Sequence, residues 1–123
     1  MPAHATRPCW ILVAEDDSDD RRLLSDAFEQ CGIACRLDFH GDGESLLQAI
    51  DAAPLDSPPQ LVLLDLNMPR MDGRETLDRL RANPALAAVP VVVMSTSAAE
   101  DDASRARRAG GDAYFVKPAE YGA

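Results

Sequence analysis

Five short runs of β-prone residues recur along the chain, separated by stretches whose apolar positions fall three and four residues apart. The runs are CWILVA (residues 9–14), ACRLDF (34–39), LVLLDL (61–66), VVVM (91–94) and AYFV (113–116). Three of them are apolar at consecutive positions, the pattern of strands covered on both sides. Between the runs, Leu23, Leu24, Ala27, Phe28 and Cys31 mark one helix, with Gly32 as its C-terminal cap. Leu46, Leu47 and Ile50 mark a second, which the proline-rich APLDSPP cannot continue. A third is predicted over residues 72–81, with Leu77 and Leu80 inward and Asn83-Pro84 closing it. Asp72-Gly73 caps its start, with Gly73 allowing close approach and Pro69 fixing the turn before it. The fourth opens at SAAE, where Ser97 and Glu100 can form a reciprocal capping box, and turns Ala103, Ala106 and Ala109 inward. Alanines bury little area, so this helix should be lightly held. Strands that alternate with helices predict an α/β fold, a doubly wound parallel five-stranded sheet with helices on both faces.

Composition narrows this picture. At 123 residues the chain is one ordinary domain, with residues 1–8 read as a flexible tail and residues 9–123 as the folded unit. Lys and Arg total 12 against 21 Asp and Glu, a net charge of −9, which argues against unassisted contact with nucleic acid or anionic lipid. The opening MPAHATRP lacks the apolar core of a signal peptide, and no run is long enough to span a bilayer, so a cytoplasmic location is expected. Cys9, Cys31 and Cys35, with His4 and His40 at unrelated spacings, form no metal-ligand pattern, and reduced thiols are expected. Trp10 reads as a packing residue.

Candidate chemistry gathers at the strand ends. In open α/β sheets ligands collect at the carboxyl ends of the strands. Glu15, Asp16 and Asp17 follow the first strand, Asp65 ends the third, Ser95 and Thr96 follow the fourth, and Lys117 follows the fifth. Two carboxylates about 4 Å apart repel by roughly 4 kcal/mol at an effective dielectric near 20, so such a cluster must protonate or recruit a cation. Few ligands, all oxygen, suit Mg²⁺ that keeps several waters, with Asp16 and Asp65 as the direct ligands. With metal and the Lys117 ammonium neutralising the site, a phosphoryl group can approach and Asp65 can attack it. Asp17, Asp19 and Asp20 read instead as helix-dipole partners on a solvated face, and not as ligands.

The segments ILVAEDD, LVLLDLNMPRMDG, VVVMSTSA and YFVKPAE, in this order, resemble the response regulator receiver domain (CheY-like) family over nearly the whole chain. The resemblance implies a flavodoxin-like sheet of order 2-1-3-4-5. It casts Glu15 and Asp16 as the acidic pair, with Glu15 acting from the second shell or through water. Asp65 is then the phosphoacceptor, Asn67 lends its backbone carbonyl to Mg²⁺ (Mn²⁺ being possible), and Ser95 and Lys117 contact phosphoryl oxygens. Ser95 and Tyr114 become the switch pair, while Asn67 and Ser97 occupy the places where relatives tune dephosphorylation. The implied activity is a phosphorylation switch and not turnover of a substrate. The donor is a sensor histidine kinase or histidine phosphotransfer protein, and output runs through a downstream protein target, with neither nucleic acid nor membrane as partner.

Only AEYGA follows Pro118, where receivers usually continue into a fifth helix, so that helix is expected to be short or absent. The apolar surface near Val116 and the first helix would then favour a homodimer or cover borrowed from a partner. Two other functions fit parts of the pattern. One is a receiver-like interaction module that works without phosphate. The other is a haloacid dehalogenase-type phosphatase, which typically carries a second acidic residue where this chain has Asn67. Tyr114 can equally be an ordinary core aromatic with its hydroxyl at the surface.

Overall fold

The computed structural model describes residues 9–54, 56–67 and 73–117. In chain order these form β1 (Trp10–Ala14), α1 (Ser18–Gln30), β2 (Arg36–His40), α2 (Gly43–Ala52), β3 (Leu61–Asp65), α3 (Gly73–Ala82), a 3-10 turn (Pro84–Leu86), β4 (Val91–Ser95), α4 (Glu100–Arg108) and β5 (Ala113–Val116). The strands make one parallel sheet in the order β2-β1-β3-β4-β5, the flavodoxin-like arrangement that the resemblance implied. The expectations for a tail over residues 1–8, for Pro69 and Asp72 before α3, and for a short or absent fifth helix after Pro118 all fall outside the described residues.

Continuous apolar stretches take the centre of the sheet because only there is each side chain covered from above or below. β1, β3 and β4 are buried almost throughout, while the edge strands β2 and β5 stay partly exposed. On one face Leu12, Val62, Leu64 and Val93 pack against Leu46 and Ile50 of α2, Leu77 and Leu80 of α3, and Ala106 of α4. On the other face Ile11, Val13, Leu63 and Met94 receive only Leu24 and Phe28 from α1. Of the five apolar residues that marked this helix, Leu23, Ala27 and Cys31 are exposed, because no second helix among the described residues shares that face with α1.

The helix ends show how local chemistry sets their positions. Asp17 caps α1, its side chain accepting from the amides of Asp19 and Asp20, and Gly32 closes it at φ +72°, a left-handed conformation that suits glycine. Gly73 starts α3 so close to the preceding strand end that an added Cβ would lie 2.8 Å from Leu66 Cα and 3.2 Å from the Asp65 carbonyl oxygen. α4 departs from expectation. Its N-cap is Ala99, without a side-chain cap bond, so the Ser97–Glu100 capping box does not form. The Ser97 hydroxyl instead accepts from the Ala99 amide at 3.2 Å and donates to Asp102 at 2.6 Å, because the chain leaves β4 extended and turns helical two residues later than predicted.

A second correction concerns the cysteines. Cys9 and Cys35 form a disulfide, and Cys31 alone is free. The parallel register sets Trp10 opposite Arg36, which brings the preceding residues of both strands to a Cα separation of 4.5 Å. Beside them Trp10 is half-buried, its indole N–H donating to Asp38 at 3.1 Å and the Arg36 guanidinium lying 5.4 Å from the ring centre. No described helix is long and apolar enough to cross a membrane.

The unequal faces give an expected outcome. Leu77→Ala should lower stability by about 2–5 kcal/mol, the range for emptying a closed core site, whereas Leu23→Ala should stay within about 0.5 kcal/mol. Urea unfolding of the two variants, compared at unchanged slope, measures the difference.

Candidate functional site

Parallel pairing aligns the carboxyl ends of the strands, and the residues just beyond the last ladder bonds form one rim. The Glu15 amide donates to the His40 carbonyl, the Leu66 amide to Met94 and the Lys117 amide to Ser95. Each bond fixes the backbone beside a polar side chain. Asp65 is thereby held at the end of β3, 2 % exposed, with Glu15 wholly buried next to it and Ser95 buried at the end of β4.

The Lys117 ammonium lies at the middle of this rim. Its Nζ donates to Glu15 Oε1 at 2.7 Å, to Asp20 Oδ2 at 2.9 Å and to Asp65 Oδ2 at 3.0 Å. The second Asp65 oxygen accepts from the Asn67 amide at 2.8 Å. Burial alone would lower the lysine pKa, but three carboxylates reverse that and hold the ammonium firmly protonated. Glu15 moves the other way. Its burial, reinforced by the Asp65 charge, outweighs the Lys117 bond and pushes its carboxyl up to about 7. One ammonium for three buried carboxylates leaves the pocket short of positive charge.

An oxygen from each of Glu15, Asp16 and Asp65 lies within 4.8 Å of the others, and Asp16 is exposed while the other two are buried. Hard carboxylate oxygens, one side open to water and an uncompensated negative charge fit a divalent cation of the Mg²⁺ or Mn²⁺ type. These three residues line the place it would take.

Asp20 corrects the sequence reading. Assigned to a solvated helix face with Asp17 and Asp19, it is instead 8 % exposed and bonded to Lys117. It occupies the third position of α1, and the turn capped by Asp17 carries its side chain back over the sheet. Four-residue periodicity ahead of Leu24 and Phe28 was the only available signal, and an acidic residue does not register in an apolar pattern.

Around the rim, the β4–α4 segment ties several groups together. Ser95 Oγ accepts from the Ser97 amide at 3.1 Å, and the Ser97 carbonyl accepts from the Tyr114 hydroxyl at 2.8 Å. The Ser97 hydroxyl donates to Asp102 of α4, which also pairs with Arg74 of α3 at 3.5 Å. Asn67 presents its side-chain oxygen to the Thr96 amide at 2.9 Å, bridging the ends of β3 and β4. Tyr114 is half-buried and packs against the core beneath α4, with its hydroxyl engaged by the Ser97 carbonyl.

Because the Lys117 side chain is 7 % exposed, Lys117→Met should leave uncompensated buried carboxylates and cost about 3–5 kcal/mol in metal-free buffer. Adding Mg²⁺, or acidifying so that Glu15 takes a proton, should recover part of that loss, as thermal unfolding in each buffer would record.

Comparison with known proteins agrees with this geometry. The model of the response regulator receiver domain matches residues 11–122. The probable methanogenesis regulatory protein FilR2 of Methanothrix harundinacea is 35 % identical over 95 % of this chain and 77 % of its own length. Response regulator Rcp1 of Synechocystis sp. is 38 % identical over 83 % of this chain and 71 % of its own. The Mn²⁺-bound structure of Rcp1 superposes with a TM-score of 0.81 at 35 % identity, covering 92 % of this chain and 84 % of that one. The phosphorylated cyanobacterial phytochrome response regulator RcpA does so at 0.82 and 32 %, covering 93 % and 84 %. The five-stranded parallel sheet, the acidic pocket and these likenesses together establish that the chain belongs to the response regulator receiver domain family of two-component signalling.

Proposed function

We propose that the protein is a phosphorylation switch whose acceptor is Asp65. The observation that carries this reading is the buried Asp65 carboxylate bonded to Lys117 at 3.0 Å and grouped with Glu15 and Asp16 within 4.8 Å. One Asp65 oxygen attacks the phosphorus of a phosphohistidine on a sensor histidine kinase or histidine phosphotransfer protein. The P–N bond breaks, the imidazole leaves with its electron pair and takes a proton, and an aspartyl phosphate remains. Water later attacks the phosphorus, the bond to the Asp65 oxygen breaks, and inorganic phosphate leaves as the carboxylate is regenerated. A Mg²⁺ or Mn²⁺ ion bound by Asp16 and Asp65, with Asn67 lending its backbone carbonyl and Glu15 acting through water, would neutralise the phosphoryl charge.

The chain's own groups carry the remaining steps. Lys117 turns from its carboxylates to a phosphoryl oxygen, and the Ser95 hydroxyl donates to another. That movement takes from the Ser97 amide its acceptor, so the segment after β4 shifts, releases the Tyr114 hydroxyl and disturbs the Ser97–Asp102 link to α4. Among the residues of α4, Ala106 is the only one buried, so little packing resists the displacement of this helix. Asn67 and Ser97, two positions beyond Asp65 and Ser95, set the lifetime of the phosphoryl group. A phosphatase reading is disfavoured because Asn67 cannot serve as acid or base and its side-chain oxygen is bonded to the Thr96 amide.

The donor is proposed to be a phytochrome-type histidine kinase, supported by the likeness to RcpA. Output runs through protein contacts in the cytoplasm, and the exposed Phe115, on the same sheet face as Met94 and α1, supports a homodimer. Incubation with acetyl phosphate and Mg²⁺ should add the mass of one phosphoryl group, labile to base. The addition should vanish in Asp65→Ala and when EDTA removes the metal, and intact-protein mass spectrometry checks all three cases. In sedimentation at micromolar concentration a dimer is expected, and Phe115→Glu should shift it toward monomer.

A further inference from the structure

Asp20 has no part in the mechanism above, yet it is buried and bonded. A side chain in the first turn of a helix ordinarily faces water, where its charge meets the helix dipole. This one reaches Lys117 Nζ at 2.9 Å and is 8 % exposed. An ammonium has three N–H donors, and here Glu15, Asp20 and Asp65 each accept one. Two of those three carboxylates, Glu15 and Asp65, also belong to the oxygen cluster fitted to a divalent cation, whereas Asp20 does not. Among the described residues, the ammonium is the partner of its side chain.

We propose that Asp20 is a positioning residue for Lys117, withholding the ammonium from an anion on Asp65 and so setting how tightly the site holds a phosphoryl group. The proposal rests on the reading of Asp65 as acceptor. An aspartyl phosphate carries one negative charge more than the carboxylate it replaces, and Lys117 can pair with its oxygens only by giving up a present partner. Glu15 and Asp65 are tied to the cation cluster, so Asp20 is the competitor that the incoming anion displaces. Its backbone is fixed by the Asp17 cap, at 3.0 Å from the Asp20 amide, so the carboxylate stays poised beside the ammonium throughout.

The test uses beryllofluoride, a tetrahedral anion that mimics the phosphoryl group, at saturating Mg²⁺, with calorimetric titration of Mg²⁺ alone as the second measurement. Asp20→Asn removes the competing charge while keeping the shape. It should bind beryllofluoride at least fivefold more tightly and bind Mg²⁺ more weakly, since the ammonium charge is then less compensated. Asp20→Glu, which restores the charge, should stay within twofold of the unmodified protein in both titrations. Opposite signs are the signature of positioning, because damage to the fold would weaken both. If Asp20→Asn leaves the anion affinity within twofold, or weakens both ligands, the proposal is overturned while the acceptor reading stands. If the unmodified protein itself takes up no beryllofluoride, the acceptor reading fails first.

Discussion

A single buried ammonium holds four separate parts of the chain in register. Lys117 follows β5, Glu15 follows β1, Asp65 ends β3 and Asp20 lies in α1, and all meet at one nitrogen. Burying charges is costly unless every one is paired and bonded, so the knot persists only because the parallel sheet delivers each group to the same edge at hydrogen-bond distance. The same arrangement leaves more negative charge than one ammonium can offset. Excess anionic charge in a half-open pocket is what would draw a divalent cation into it.

Packing is divided unevenly between the two sides of the sheet. Under α2 and α3 the core is closed, with Leu46, Leu77 and Leu80 wholly buried. α4 buries only an alanine, and α1 touches the sheet mainly through Leu24 and Phe28. A site mounted on β1 and β3 therefore sits on well-packed strands, while the segment from Ser95 to Asp102 connects it to a lightly packed helix. Ser97 is a shared anchor: its amide, carbonyl and hydroxyl bond Ser95, Tyr114 and Asp102 in turn.

Much of this was legible in the chain. Central strands declare themselves through unbroken apolar runs, and the helices through three- and four-residue spacing, so fold class and the strand-end location of Asp65, Ser95 and Lys117 could be read directly. Asp20 could not, because a charged residue in the first turn of a helix looks the same whether it meets water or a buried lysine nearly a hundred positions away. The Ser97–Glu100 pattern was misleading for a related reason: the spacing is right for a capping box, but the extended exit from β4 delays the helix, and the hydroxyl finds Asp102 instead.

The amino-acid order by itself determined the elements and their alternation, since propensity and hydrophobic period act over a few neighbouring residues. Only the tertiary structure decided that Asp20 joins the pocket and that Cys9 meets Cys35 in a disulfide. Those outcomes depend on strand order and register, which are set by packing the whole sheet at once and leave no trace in any short segment.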